Sequence, residues 1–192
     1  MLGVLGCGVQ GETHVEALRC VLPGLVELRA YDIDRDRATS FVSSMTDRHG
    51  LTGRVEESPR HAVAGADVVV TAGPIQRVPH ATIKAGRLAP GAFAAVVDFD
   101  SYWSGDALAE LDLFTTDDIP QLLHFQELGY FKSIPTIHAD LAELVSGRKP
   151  GRTSPEQRTL ACNLGLALDD MAVAPLVLER AQSAGLGVPL PR

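Results

Sequence analysis

Gly6, Gly8 and Gly11 stand in the spacing G-x-G-x-x-G, written out as Gly6-Cys7-Gly8-Val9-Gln10-Gly11. The chemistry such a turn offers is the cradling of phosphates. The first glycine permits a tight turn, the second lets the backbone approach a pyrophosphate, and the third lets a helix pack closely on a strand. The helix opening there presents free N–H groups and a partial positive charge, which suit an anion. Asp32 ends the next apolar run, 21 residues past Gly11. A carboxylate at that place hydrogen-bonds the adenosine ribose hydroxyls and repels a 2′-phosphate, so NAD is favoured over NADP. Arg35 and Arg37 come soon after and weaken that preference.

Two further clusters come after apolar runs. Thr71-Ala72-Gly73-Pro74 succeeds Ala66–Ala72, and Asp98 and Asp100 succeed Ala92–Val97. Ligands of open α/β sheets sit outside the carboxyl ends of strands, so Thr71 and its turn are expected to face the cofactor. One of the two aspartates is a candidate general base or partner for a substrate ammonium. The competing reading of these residues is ordinary turns and caps.

Other chemistry is poorly supported. The six histidines, at 14, 49, 61, 80, 124 and 138, show no H-x-x-x-H or H-E-x-x-H spacing, so no zinc site is expected. His14 is read as a packing or capping residue of the first helix. Cys7, Cys20 and Cys162 form no metal spacing and no disulfide framework. There is no G-x-S-x-G and no Walker loop. No tyrosine has a lysine four residues on, which disfavours a carbonyl reductase built on that pair. Arg148-Lys149-Pro150-Gly151-Arg152 is either solvated charge or a grip for a carboxylate or phosphate.

The elements that must position these residues are legible from periodicity. Apolar runs at 2–6, 25–31, 66–72, 92–97 and 111–115, with a short one at 54–56, read as strands. Helical spacing covers 12–22, with Val15, Leu18 and Leu22 on one face. It also covers 35–46, capped by Asp34, with Ala38, Phe41, Val42 and Met45 inward. Ser58-Pro59 opens another helix. Strands alternating with helices imply a doubly wound parallel sheet of the Rossmann type with a C-terminal helical segment. The run at 111–115 is read as the last strand. Residues 1–136 are then a dinucleotide-binding domain, and 137–192 a helical segment. In that segment Ser154-Pro155-Glu156-Gln157 starts a helix reaching Ala184 and ending at Gly185, with Pro175 kinking or breaking it.

The chain has 192 residues, 45% hydrophobic and 21% charged, with net charge −7. That is enough to bury a full core. The acidic balance argues against nucleic acid and against an anionic membrane surface. No apolar run reaches the roughly 18 residues of a membrane span, and the start carries no basic signal-peptide region, so a cytoplasmic protein is expected. A glycine loop beginning at residue 6 also raises the expectation that a domain is missing in front of it.

Gly6-x-Gly8-x-Gln10 with His14 and Glu16-Ala17, together with Gly147–Thr153, Asn163–Asp170, Glu179-Arg180-Ala181 and Gly185-Leu186-Gly187, resembles the ornithine cyclodeaminase/μ-crystallin family. The resemblance spans nearly the whole chain. It implies a dinucleotide fold using NAD(H) or NADP(H), and hydride transfer at an amine-bearing carbon of an amino acid or imine. By motif, it implies Gly6, Gly8, Val9, Gln10 and Gly11 around the pyrophosphate, Asp32 on the ribose, Thr71 near the cofactor, and Asn163 near the nicotinamide. It makes Asp100 the catalytic aspartate. The family's Cys-Pro-Gly-Lys after that aspartate is replaced here by Ser101-Tyr102-Trp103, which leaves the substrate open. The family's N-terminal domain carries the groups that hold the substrate carboxylate and forms most of a dimer interface, and no part of it is recognised here. Two readings are open: the cofactor part of an amino-acid or imine oxidoreductase, or a truncated, inactive dinucleotide-binding or interaction module. The first expects a separate N-terminal substrate-domain polypeptide or a lost one. The resemblance also implies that segment 137–192 packs on that N-terminal domain; without it the apolar tail residues Leu164, Leu168, Met171 and Leu176 are left exposed, which favours association, and a homo-oligomer is expected.

Overall fold

The computed structural model describes residues 1–188 and 190; the expected segment 137–192 therefore extends, at Pro189, Pro191 and Arg192, outside the described residues. Eight strands form one sheet: β1 (Leu2–Leu5), β2 (Glu27–Tyr31), β3 (Thr52–Val55), β4 (Val68–Thr71), β5 (Phe93–Val96), β6 (Leu113–Thr116), β7 (Ile137–Asp140) and β8 (Thr159–Cys162). Their order is β3-β2-β1-β4-β5-β8-β6-β7, and all named pairings are parallel. The helices are α1 (Val9–Val21), α2 (Arg35–His49), α3 (Pro59–Val63), α4 (Gly105–Leu108), α5 (Ile119–Glu127), α6 (Leu141–Val145) and α7 (Ala167–Ser183).

β1, β4 and most of β5 are buried, and alternate residues enter two separate cores, as strands covered on both faces must. Leu2, Val4, Val68 and Val70 pack with Val15 and Leu18 of α1 and with Ala38, Phe41, Val42 and Met45 of α2. Leu5, Val69, Ala94 and Val96 pack on the other face with Ala62 and Val63 of α3, Leu108 of α4 and Leu122 of α5. The sheet is thus the doubly wound Rossmann type expected from the alternation.

Local chemistry sets the helix ends. Asp34 caps α2 by accepting from the amides of Asp36 and Arg37, each at 3.1 Å, and Gly50 closes it with φ 64°. Arg48 of α2 pairs with both Glu12 and Glu16 of α1, tying the two helices. α1 starts at Val9 rather than at residue 12, because Gly8 already serves as its cap; Leu22 leaves the buried face at the other end.

The tail departs from expectation. The segment from 137 is not strand-poor: it holds β7 and β8, and β8 lies inside the sheet between β5 and β6. Ser154–Gln157 makes a turn, in which the Gln157 amide donates to the Ser154 carbonyl at 3.2 Å, and it leads into no helix. A cap motif stabilises only the first turn. The next segment, Thr159–Cys162, is a short apolar run with its last three residues buried between neighbouring strands. After the short α6, the long helix α7 begins only at Ala167, runs through Pro175 without ending, and stops before Gly185. None of its residues is buried. Among the described residues no helix is long and apolar enough to cross a membrane.

Candidate functional site

The carboxyl ends of β1, β2 and β4 surround a cavity of about 580 Å³ lined by Gly6, Gly8, Asp32, Arg37, Ala72, Gly73 and Tyr102, among others. It lies where strand order reverses, the crevice in which open α/β sheets bind ligands. A cavity of similar size, about 600 Å³, opens at the amino ends of the strands, but its charged groups are already engaged. There Asp67 pairs with the Met1 amino group, and Arg152 donates to the carbonyls of Gly91 (2.6 Å) and Ala92 (3.3 Å). Arg152 is exposed but engaged: it ties the Gly91–Ala92 end to Thr159 of β8, whose hydroxyl it reaches at 3.0 Å.

The three glycines of the turn have different reasons. Gly6 has φ +94°, and a Cβ there would lie 2.5 Å from the Ala72 carbonyl oxygen. A Cβ on Gly11 would lie 2.3 Å from the Gly6 oxygen. Packing requires both. Gly8 has an ordinary extended backbone, φ −93° and ψ −169°, and a Cβ would meet nothing within 4 Å. The fold therefore places no demand for glycine at position 8. Val9, Gln10 and Gly11 begin α1, which has no side-chain cap, so their amides lack intrahelical acceptors. Val9 is exposed and Gly11 buried within the helix. His14 Nδ1 donates to the Gln10 carbonyl at 2.6 Å, one turn earlier in α1.

Asp32 does more than its motif suggested. Its carboxylate accepts from the Cys7 amide at 2.8 Å and from the Asp34 amide at 2.9 Å. One side chain thus fixes both the glycine turn and the entry to α2. Cys7 itself is no nucleophile, since burial, with Asp32 adding to it, pushes its thiol up to about 12.

Thr71 is fully buried and does not line the cavity. Its hydroxyl donates to Asp98 at 2.7 Å, and the Trp103 indole N–H reaches the same oxygen at 3.4 Å. The cavity wall is formed instead by Ala72, Gly73 and Pro74, one step further along the turn. The expectation of a Thr71 contact is corrected to that extent: its side chain is spent inward.

Asp98 and Asp100 lie beyond β5 in a turn where Phe99 takes φ +61°, so strand alternation does not govern them. Both are buried. Burial pushes Asp98 up to about 7, against the opposing hydrogen bonds of Thr71 and Gly73. Burial also raises Asp100, partly countered by its own and the Phe131 backbone and by Lys132. Asp100 Oδ1 is buried without a hydrogen-bond partner, and so is Oδ1 of Asn163. Asn163 directly succeeds β8, whose Cys162 pairs with Val96 of β5. Two unsatisfied acceptors therefore stand just beyond the carboxyl ends of neighbouring strands. Neither lines the cavity around Asp32; they extend the same sheet edge past β4.

Sequence reasoning missed three contributors. Tyr102 and His80 line the cavity from distant segments that carry no motif. Asp117, after β6, accepts from the amides of Leu164 (2.7 Å) and Gly165 (2.6 Å) and so anchors the turn after Asn163. Its signal was available, since it is a carboxylate just past an apolar run, as Asp32 and Asp98 are.

A parallel doubly wound sheet, a glycine turn at the opening of α1 and a carboxylate ending β2 define a Rossmann-type α/β protein with a dinucleotide-style crevice. The chain belongs to the ornithine cyclodeaminase/mu-crystallin family, whose sequence profile matches residues 1–185. It is 32% identical over 199 residues to the alanine dehydrogenase of Archaeoglobus fulgidus, covering 97% of this chain and 58% of that protein. The structure of Thermococcus litoralis Delta(1)-pyrroline-2-carboxylate reductase in complex with NADH and L-proline superposes with TM-score 0.81 and 26% identity, over 98% of this chain and 60% of that one. An archaeal alanine dehydrogenase dimer with bound NAD gives TM-score 0.80 and 29% identity, over 99% and 60%. The chain thus spans less than two thirds of the length of these relatives.

Proposed function

We propose that this chain is the NAD(H)-binding part of an oxidoreductase that transfers hydride at the amine-bearing carbon of an amino acid or imine. The observation that carries the cofactor half is Gly8. Gly6 and Gly11 are explained by packing within the protein, whereas Gly8 faces open space with an unstrained backbone. A glycine standing where the fold does not need it suits the close approach of a pyrophosphate. The relatives named above are an alanine dehydrogenase and a pyrroline-2-carboxylate reductase, which supports an amino-acid or imine substrate.

A bound nicotinamide dinucleotide would supply the hydride donor or acceptor. The amides of Val9, Gln10 and Gly11 hold the pyrophosphate, with Gly6 and Gly8 letting it close in. Asp32 holds the ribose and at the same time braces the Cys7 amide. Thr71 acts from within, through the turn it anchors. Asn163 offers a free acceptor toward the nicotinamide end. Asp100, raised by burial and unpartnered at Oδ1, holds or accepts the proton of the substrate amine. NAD is preferred to NADP because a carboxylate at Asp32 repels a 2′-phosphate. Arg37 in the same cavity tempers that preference.

The groups that grip the substrate carboxylate are assigned to a further segment, of the size by which the relatives exceed this chain. α7 (Ala167–Ser183) is assigned to association with a second copy, because it buries none of its residues and leaves Leu168, Met171 and Leu178 exposed.

The test is calorimetric titration of the chain with NADH and NADPH beside Gly8→Ala. Saturable NADH binding that Gly8→Ala abolishes, with the urea midpoint unchanged, supports the reading. Unchanged binding in Gly8→Ala, or no binding of either nucleotide to the parent chain, overturns it and favours the inactive interaction module.

A further inference from the structure

Asp98 has no part in the glycine motif, yet it is fully buried against the wall of the cofactor cavity. Its Oδ1 accepts from the Thr71 hydroxyl at 2.7 Å and its Oδ2 from the Gly73 amide at 3.0 Å. One carboxylate therefore spans the turn from the last residue of β4 to a residue that lines the cavity. On its other side Gly73 is packed by Tyr102, since a Cβ there would lie 2.7 Å from the ring. Tyr102 lines the same cavity. The turn is thus held between a carboxylate beneath it and a phenol ring beside it. Both come from the segment after β5, which further stitches the chain beyond β4 through Ser101: its hydroxyl accepts from the Gln76 amide at 2.9 Å and its carbonyl from the His80 amide at 2.8 Å.

We propose that Asp98 is a positioning residue for the cofactor: its ionised carboxylate holds the Thr71–Gly73 turn in the form that walls the nucleotide cavity, and cofactor affinity tracks its ionisation. This rests on the cofactor reading above.

The physical reason is the donor count. An ionised carboxylate accepts only, which matches one hydroxyl and one amide that both donate. These bonds are charge-assisted and about twice as strong as neutral ones. Protonation places a hydrogen on one oxygen. Either the Gly73 amide then loses its acceptor, or the Thr71 hydroxyl must turn around beneath the Trp103 indole. Burial pushes Asp98 up to about 7, so both forms are within reach near neutrality. The titratable groups that face it are few. Asp100 and Tyr102 are on its own turn, and the Cys162 thiol is on β8. Burial raises Tyr102 to about 12 and Cys162 well above its ordinary value, so both stay neutral through this range. Only Asp100 can titrate alongside, and it makes no bond to the turn.

The chain has one tryptophan, Trp103, and its indole donates to the Thr71 hydroxyl, so its emission reports on this network without any ligand. Trp103 fluorescence and the NADH dissociation constant are to be measured from pH 5.5 to 8.5 in the full chain, in Asp98→Asn, in Thr71→Val and in Asp100→Asn. Expected for the parent chain are a fluorescence transition near pH 7 and NADH binding about tenfold weaker at pH 5.5 than at pH 8.5. Both pH dependences vanish in Asp98→Asn and persist in Asp100→Asn. In Thr71→Val the midpoint moves upward, because the ionised form has lost a donor. A fluorescence profile flat in the parent chain, or unchanged in Asp98→Asn, overturns the proposal, and so does a Thr71→Val midpoint that stays in place. NADH binding that is tight but independent of pH overturns it while leaving the cofactor reading intact. Absence of NADH binding at every pH removes both.

Discussion

Carboxylates at strand ends organise this protein residue by residue. Asp32, Asp98 and Asp117 come after β2, β5 and β6, and each accepts two or more donors from the chain beside it. Such bonds cost little to form where amides at strand ends would otherwise be unsatisfied. For Asp32 the structural role and the proposed ribose-binding role overlap. Asp32→Ala is therefore expected to weaken NADH by about ten- to a hundredfold in calorimetry, from loss of a charged acceptor. NADPH is expected to lose less, because the repelling charge goes with it. The glycines separate more cleanly. Gly6→Ala forces a Cβ onto the Ala72 carbonyl at a positive φ and should cost about 2–4 kcal/mol in urea unfolding. Gly8→Ala should leave stability within about 0.5 kcal/mol and affect only the ligand.

At the scale of elements, β8 and α7 have opposite weight. β8 lies between β5 and β6 with Leu160 and Cys162 buried in the core, whereas α7 buries no residue. A chain ended after residue 166 is expected to keep its urea midpoint, and one ended after 154 to be unfolded by circular dichroism. Loss of a cooperative transition in the first would show that α7 supports the fold. The β5 turn carries a pH signature of its own. Asp98 has an ordinary carboxylate value near 3.9 when unfolded and about 7 when folded. The folded state therefore holds its proton more tightly. The resulting stability is complete below about pH 4 and is lost as pH rises through 7. Relative to Asp98→Asn, the parent chain should lose about 2–4 kcal/mol between pH 4 and pH 8. The opposite slope would contradict a carboxyl raised by burial. The ionised form that best holds the turn is thus the form that burial opposes.

At the scale of the molecule, the association proposed for α7 bears on how the chain behaves in solution. Met171 is 73% exposed and Leu178 59%, and apolar side chains grouped on one helix rarely stay in water. Sedimentation is expected to show self-association that the double substitution Met171→Glu, Leu178→Glu weakens at least tenfold, roughly the effect of 1.4 kcal/mol. A monomer at all concentrations would contradict the assignment of this face to a second copy.

The front half of the chain was open to reading because its signals are local. A glycine turn, an Asp cap at Asp34 and alternating apolar runs act within a few residues of themselves, and β1, α2, β4 and β5 lie close to where periodicity put them. The same locality explains the identification of Gly6, Gly8 and Asp32, which meet around one cavity. The rest depended on contacts between distant segments. Ser154-Pro155-Glu156-Gln157 has the composition of a helix start, but Thr159–Cys162 gains more by entering the gap between β5 and β6, burying both faces. Thr71 has the right place for a ligand contact, yet Asp98, 27 residues away, draws its hydroxyl inward. Spacing along the chain determined which residues are able to do chemistry. Burial and hydrogen-bond satisfaction in the folded sheet decided which of them face the cavity and which hold it in place.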